Sequence, residues 1–409
     1  MTPPLPLRRN RDFVLLLTGR LLSTLGSQVT AIAYPLLVLG VTHSPAKAGV
    51  VGFAGLAPHA LFALPVGLAA DRWNRKRLMI AADGVRAVAI AALAATILLD
   101  RVSFWQIAVV AFIEGTGSVF FNTAHAGALR AIVPRQQLPA AVGVTRARGA
   151  VVMLAGPPLG GALFALGRAV PFLFDAVSYA FSFLSLALMR TPFQEERELD
   201  PARLRAQIVE GFRFLWSRPF LRTCAFLYGL GNFTIPGILL VVIVAGQQQG
   251  LSSTGLGVLL SAFGACILVG SLASPIFRRT LSVRAILLLE LWAGLGIVAF
   301  LVWPNVYVLT AAIMVQGITL PVTDTVVEGY RLAVTPDRLL GRVESARSTI
   351  SLLAAPLGPL VAGVLLGAAS ARAAIAFFAV FSLALALWGT LSPAIRRAPS
   401  LDELAALPS

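Results

Sequence analysis

Charge is what this sequence is short of. Of its 409 residues only 12% are Asp, Glu, Lys or Arg, while 57% are hydrophobic. A soluble domain carries roughly 25% charged residues, so a water-facing surface of ordinary size cannot be built, and disorder or a collagen-like repeat is excluded as well. Cysteine is scarce too: Cys224 and Cys266 both lie in apolar stretches and read as small buried side chains, not as a disulfide or metal pair. Histidine is limited to the scattered His43, His59 and His125, which excludes a histidine metal site. The chain contains no GxxxxGK[ST] phosphate loop and no HExxH helix. The pair Gly115 and Gly117 lacks the strand–turn–helix setting of a dinucleotide site. No cofactor, metal or enzymatic chemistry is expected, and energy for uphill work has to come from an ion gradient or the substrate's own gradient.

Apolar runs are what the sequence has in abundance, with a mean hydropathy of +0.84. A bilayer span takes about 20 mostly apolar residues. Spans are predicted at 13–40, 46–70, 78–99, 104–123, 141–166, 169–190, 221–246, 253–276, 283–303, 305–324, 345–367 and 373–393. The first run is far longer than the h-region of a cleavable signal peptide.

The net charge of +15 would suggest nucleic acid on a soluble chain. Here Lys and Arg cluster in the short loops, so no nucleic acid partner is expected. Counted over alternate loops, 27 fall on the side of the N-terminus and 4 (Lys47, Arg101, Arg168, Arg372) on the other, with Arg20 and Arg86 inside spans. By the positive-inside rule both termini are cytoplasmic, in a multi-pass protein of the cell membrane.

The expected fold is therefore all-α, with 12 transmembrane helices in two six-helix bundles. Residues 1–190 form the first bundle, 191–220 a cytoplasmic linker, 221–395 the second bundle and 396–409 a cytoplasmic tail. The linker starts acidic (Glu195, Glu196, Glu198) and then carries Leu204, Ile208, Val209, Phe212 and Trp216 at helical spacing, after a capping Asp200 and Pro201. That pattern suits an amphipathic helix on the inner membrane surface. The bundles also repeat in sequence. A shift of 202 residues pairs Asn122 with Asp324, Pro134 with Pro336, Gly156 with Gly358, Pro157 with Pro359 and Gly161 with Gly363. Two parallel six-span repeats imply a midplane substrate site reached by alternating access.

Between the second and third spans stands GLAADRWNRKR, with Gly67, Asp71, Arg72, Arg75, Lys76 and Arg77. In this motif, its position, the span count and the repeat, the chain resembles the major facilitator superfamily. Ala69 and Asn74 depart from the usual motif, but its charged set is intact. The resemblance implies that Asp71 and the neighbouring cations lock the inner helix ends in the outward-open state. An acidic side chain at a helix end suits that task by capping N–H groups. In the fifth span Gly156, Pro157, Gly160 and Gly161 match the GPxxGG motif of exporters in the superfamily, where glycines permit close approach and proline bends the helix. The strings from Arg11-Asp12-Phe13 to Leu25-Gly26, Phe120-Phe121-Asn122 and Phe174 to Ser178 are similar to the enterobactin-exporter and macrolide-efflux branch. The antiporter pattern R-x-x-Q-G is absent from the fourth span, where Ala111 and Glu114 stand at its Arg and Gln positions.

A charge inside a span costs several kcal/mol, roughly 2.5–3.5 at a helix centre. Glu114 lies near mid-membrane in the fourth span, and the resemblance makes the first, fourth, seventh and tenth spans line the cavity. It is the candidate carboxylate for proton or substrate coupling, with Arg20 as its partner or as an anion contact. Gln28, Tyr34, Tyr228, Asn232 and Gln316 are candidate cavity lining, and Asp324 and Glu328 candidate inner-gate residues. Asp83, Asp175 and Glu290 fall in spans that the resemblance places at the periphery and are read as structural, Asp83 as a local ion pair with Arg86. The function these features imply is secondary active efflux by a monomer that exchanges protons for an amphipathic drug, antibiotic or siderophore across the bilayer. An importer or facilitator of a polar metabolite is the alternative, and a non-transporting sensor or scaffold the second.

Overall fold

Where the sequence runs apolar, the chain is helical. The computed structural model describes residues 6–70, 73–191, 193 and 201–398, and no strand occurs among them. The helices are α1 (Arg11–Thr42), α2 (Pro45–Ala70), α3 (Arg75–Leu98), α4 (Phe104–Ile132), α5 (Leu138–Leu166), α6 (Val170–Leu188), α7 (Pro201–Ser217) and α8 (Pro219–Gln248). They continue with α9 (Ser253–Thr280), α10 (Val283–Ala293), α11 (Ala299–Val302), α12 (Val306–Val334), α13 (Leu340–Leu353), α14 (Leu357–Ala368), α15 (Ala371–Leu391) and α16 (Pro393–Arg396). Eleven segments among the described residues are long and apolar enough to cross a membrane, and α2, 26 residues long, occupies the second predicted span.

Local chemistry sets the helix starts. Asn10, Asn74, Ser103, Ser282 and Ser370 each accept a backbone N–H of the first turn with the side chain, at 3.1–3.3 Å, so orphan donors are satisfied where the chain enters each span. Two predicted spans are interrupted. The run 283–303 is α10 and α11 joined by a 3-10 stretch, Gly294–Val298. The run 345–367 breaks between Leu353 and Leu357, next to Pro356, and its first helix starts earlier, at Leu340. The fourth span extends beyond its predicted end to Ile132, because the apolar count falls before the helical pattern does.

The chain forms two compact units, Met1–Leu199 with Ser252–Ser261, and Asp200–Leu251 with Ala262–Ser409. In the first, Leu16, Met79, Phe121, Ala124, Leu186 and Met189 form a core among α1, α3, α4 and α6. In the second, Leu221, Cys224, Leu287, Val326 and Ala346 do so among α8, α10, α12 and α13. Val88, Trp105, Leu166 and Val177 project outward, each more than two-thirds exposed, as suits a lipid-facing surface. Because lipid supplies no hydrophobic drive for helix association, close packing of small residues has to hold the helices together. A Cβ at Gly115 would lie 2.2 Å from the Gly55 carbonyl oxygen, and one at Gly19 3.2 Å from Ser185 Cβ. Those contacts draw α4 onto α2 and α1 onto α6. In the second unit, Glu210 of α7 is bonded by Arg342 of α13 and, at 3.4 Å, by Arg338 in the 3-10 turn before it, which fastens α7 to the start of α13.

Candidate functional site

Four helices of the first unit carry polar side chains into one buried cluster. On α1, Ser27, Thr30 and Tyr34 share a face at spacings of three and four. On α6, Asp175, Ser178, Tyr179 and Ser182 do the same, while α3 supplies Asp83 and Arg86 and α4 supplies Glu114. Tyr34 Oη donates to Glu114 Oε2 at 2.8 Å and Tyr179 Oη to Glu114 Oε1 at 2.9 Å. The Arg86 guanidinium stacks on the Tyr179 ring, 3.9 Å from its centroid. One of its nitrogens donates to Tyr179 Oη and, at 3.2 Å, to Ser27 Oγ; the other reaches Asp83 Oδ1 at 3.4 Å. Asp175 accepts from Thr30 Oγ1 at 3.0 Å and from Ser178 Oγ at 3.1 Å. Gly26 makes room for this carboxylate, since a Cβ there would lie 2.2 Å from Asp175 Oδ1.

The charges do not balance. Asp83, Glu114 and Asp175 are each no more than 9% exposed, as is Arg86. Fully ionised, three carboxylates would face one bonded guanidinium, with Arg20 within electrostatic reach of Asp83 alone among them. At least one negative charge would then stay uncompensated in a membrane span, where it costs several kcal/mol. A cluster of this composition is suited to hold protons. Glu114 can gain one without breaking an ion pair, because its partners are tyrosine hydroxyls that donate or accept by rotation.

Arg20 is not brought to Glu114. Its guanidinium donates to Asn122 Oδ1 and lies 4.8 Å from the Phe121 ring centroid. Gln28 packs against Gly156, where a Cβ would be 2.5 Å from Gln28 Cβ. In the second unit Asn232 Nδ2 donates to the Ser351 carbonyl at 3.0 Å, and Gln316 lies beside Gly294. Tyr228, Thr323 and Glu290 come together in the second unit, with the Thr323 hydroxyl within reach of both the Tyr228 hydroxyl and the Glu290 carboxyl. Glu328 belongs to a chain of ion pairs through Arg331 and Glu344 to Arg347, and Asp324 faces Arg347. Among the described residues, no group of three or more His, Cys, Asp or Glu side chains converges to hold a metal.

Of the loop motif, Asp71 and Arg72 lie outside the described residues, as do Glu195, Glu196, Glu198 and Asp200 of the linker. Gly67 is within α2, and Arg77 donates its backbone N–H to the Asn74 cap. The Asn that replaces the motif's second Gly thus starts α3. Lys76 Nζ donates to the Met189 carbonyl at 2.6 Å, a cation on the C-terminal end of α6. Arg75 lies over Gly127 of α4, 2.4 Å from where a Cβ would stand, and Trp73 stacks on Phe120 with ring centroids 6.1 Å apart. The described motif residues therefore reach both α4 and α6.

In α5, Pro157 and Pro158 sit inside a continuous helix, and Gly156, Gly160 and Gly161 are buried. A Cβ at Gly160 would lie 2.7 Å from the Val29 carbonyl oxygen of α1. Gly358, the repeat partner of Gly156, similarly meets α8, where a Cβ would lie 2.1 Å from the Phe233 carbonyl oxygen. Gly160→Ala is expected to cost about 1–3 kcal/mol by overpacking. Gly143→Ala, with nothing within 4 Å, is the control. Thermal melting in detergent checks the pair, and equal melting would mean that α1 and α5 are not in tight register.

Residues 2–408 match the family profile described as transmembrane secretion effector. The chain belongs to that family, within the major facilitator superfamily. The multidrug efflux pump Tap of Mycolicibacterium fortuitum is 29% identical to the transporter over 403 residues, covering 95% of this chain and 97% of that protein. Macrolide efflux protein A of Streptococcus pyogenes is 22% identical over 360 residues, or 86% and 88% of the two chains. Among solved structures, a bacterial homologue of the human lysosomal transporter Spinster, inward-facing and unoccupied, superposes with a TM-score of 0.72 at 16% identity, covering 95% and 98%. An inward-facing bacterial homologue of the iron transporter ferroportin gives 0.69 at 18% identity, covering 93% and 100%. At these identities the structures speak for the fold alone, the twelve-span superfamily fold that the resemblance implied.

Proposed function

We propose that the transporter exports an amphipathic small molecule of drug or antibiotic type by alternating access, in exchange for protons. The relatives' names support export and the substrate class, and favour a drug or antibiotic over a siderophore. The observation that carries proton exchange is the acid-rich cluster around Glu114, a carboxylate held by Tyr34 and Tyr179 with no cation bonded to it directly. In this reading Asp83, Arg86 and Asp175 set the electrostatics of the cluster, and Gln28, Tyr228, Asn232 and Gln316 line the path. Asp324 and Glu328 guard its inner end in the second unit.

The arginine count supports a cell-membrane topology with both termini in the cytoplasm. The motif from Gly67 to Arg77 then lies on the cytoplasmic face. There Lys76 and Arg75 tie α3 to α6 and α4, a suitable base for a gate closed by Asp71 and Arg72. The protein acts as a monomer and carries out no covalent chemistry.

Purified transporter in proteoliposomes tests the reading. With a pH gradient imposed, erythromycin is expected to accumulate against its own gradient, and a protonophore should abolish the accumulation. Flux that only follows the erythromycin gradient would favour a facilitator, and absence of flux a sensor or scaffold. Asp71→Asn is expected to reduce accumulation about tenfold or more while membrane insertion stays normal. Wild-type flux in a well-inserted variant would make the motif a topology signal without a gating role.

A further inference from the structure

Beyond Asp83, which is within electrostatic reach of Arg20 and already bonded by Arg86, the first unit gathers Arg20, Arg148 and His125 with no acid bonded to them among the described residues. We propose that Arg20, Arg148 and His125 form an anion subsite that receives a carboxylate or phosphate group of the transported molecule. That the ligand is a transported molecule rests on the export reading; the subsite itself rests on the placement of these side chains.

Arg20 of α1 has a buried Nε with no hydrogen-bond partner, and Arg148 of α5 has two such nitrogens, Nε and Nη1. The two guanidinium groups are within electrostatic reach of each other and of His125, and Arg20 also of Arg86 and Asp83, whereas no acid among the described residues is within such reach of Arg148. Phe121 is shared between them: Arg20 lies 4.8 Å from its centroid on one side, and His125 stacks on it at 6.1 Å with an interplanar angle of 22°. Among the described residues, the one hydrogen-bond acceptor for either arginine is Asn122 Oδ1, an amide. Asn122 is itself exposed, so the cluster opens to the outside of its unit.

Placing two cations together at this depth is unfavourable twice over, by mutual repulsion and by desolvation. Elsewhere the protein avoids that cost, since Arg86, Arg331 and Arg347 each face a carboxylate. The internal repeat points to what is missing. Asn122 occupies the repeat position of Asp324, and in the second unit that aspartate faces Arg347 of α13. At that offset Arg347 corresponds to Thr145, with Arg148 three residues further on, and an amide stands where the second unit has the acid. An acidic group of a ligand would satisfy the open guanidinium nitrogens of Arg20 and Arg148: a guanidinium fork binds carboxylate or phosphate through paired hydrogen bonds, and Phe121 with His125 offers an aromatic surface to the body of an amphipathic molecule.

The test compares 1-pyrenebutyrate with 1-pyrenebutanol, which share an apolar body and differ in charge. Binding to detergent-purified transporter is read by energy transfer from tryptophan, with empty micelles subtracted. The acid is expected to bind about tenfold or more tightly than the alcohol, with the preference shrinking in high salt. Arg148→Gln should bring the ratio close to one. So should Asn122→Asp, which supplies the acid internally and does not depend on removing a buried charge. A ratio near one in the wild type, or a ratio unchanged in folded Asn122→Asp, overturns the proposal. Sodium sulfate and phosphatidylglycerol nanodiscs separate the sources. Thermal stabilisation by either that is lost in Asn122→Asp, without any acid preference, would assign the cluster to a free anion or a lipid headgroup and overturn its assignment to substrate. Erythromycin export without acid preference retires the subsite alone; acid preference without export retires the transport reading alone.

Discussion

Glu114→Gln is expected to lower the ratio of pH-driven to gradient-only erythromycin flux by about tenfold or more, the range of an ordinary coupling free energy between two ligands. Glutamine keeps the shape of the side chain and one carbonyl acceptor, so one of Tyr34 and Tyr179 retains its partner while the other has to turn away or meet an N–H. What the variant cannot do is exchange a proton. Tyr34 is further fixed by edge-on packing against Phe172, with centroids 5.3 Å apart, which keeps the pocket in shape. The measurement is uptake into proteoliposomes with and without a pH gradient. If the variant folds and still concentrates erythromycin under a pH gradient, Glu114 is not the coupling site.

Arg86→Gln is expected to have the larger effect on folding, about 3–5 kcal/mol, the loss seen when one partner of a buried charge network is removed. Arg86 is only 3% exposed and faces Asp83, Ser27 and the Tyr179 hydroxyl and ring together. Without it, Asp83 loses the cation bonded to it and keeps only Arg20 within electrostatic reach. Arg86→Lys should recover part of the loss, because an ammonium keeps the charge but not the fork that reaches two sides at once. Combining Arg86→Gln with Glu114→Gln should be milder than the sum of the single changes, since the second removes a charge that the first leaves unmatched. Heating followed by size-exclusion chromatography gives the order of stability. Strict additivity would show that the two residues do not share one electrostatic network.

The spans were legible because a bilayer demands long apolar runs. The interruptions were not legible: hydropathy sums composition, and neither Gly294–Val298 nor the break before Leu357 changes it much. Glu114 and Tyr34 stand out as polar residues in apolar text, yet Arg20 offers itself as a partner on the same grounds and is bonded elsewhere. Tyr179 was missed for the opposite reason. Its span reads as peripheral, and only the helix contacts show that it bridges Glu114 and Arg86. Arg86 was read as a local partner of Asp83, three residues away, and that pair does form. Spacing along one helix says nothing about the second nitrogen, which reaches Ser27 and Tyr179. Ser27 and Thr30 carry a signal that could have been used, since they share a helical face with Tyr34.

The 3-10 stretch Gly294–Val298 alters the ruler by which its span is measured. An α-helix of the 20 residues Val283–Val302 would be about 30 Å long. Five residues at the steeper 3-10 rise add about 2.5 Å, so this segment matches a hydrocarbon layer of about 30 Å with length to spare for a small tilt. The same five residues turn the chain by about 100° more than α-helical winding would. Glu290, before the stretch, points inward at 7% exposure, whereas Val302 and Trp303, after it, are 64% and 65% exposed. One short segment thus shows the protein an acid on one azimuth and carries large apolar side chains outward on another, over a length that the 3-10 stretch extends.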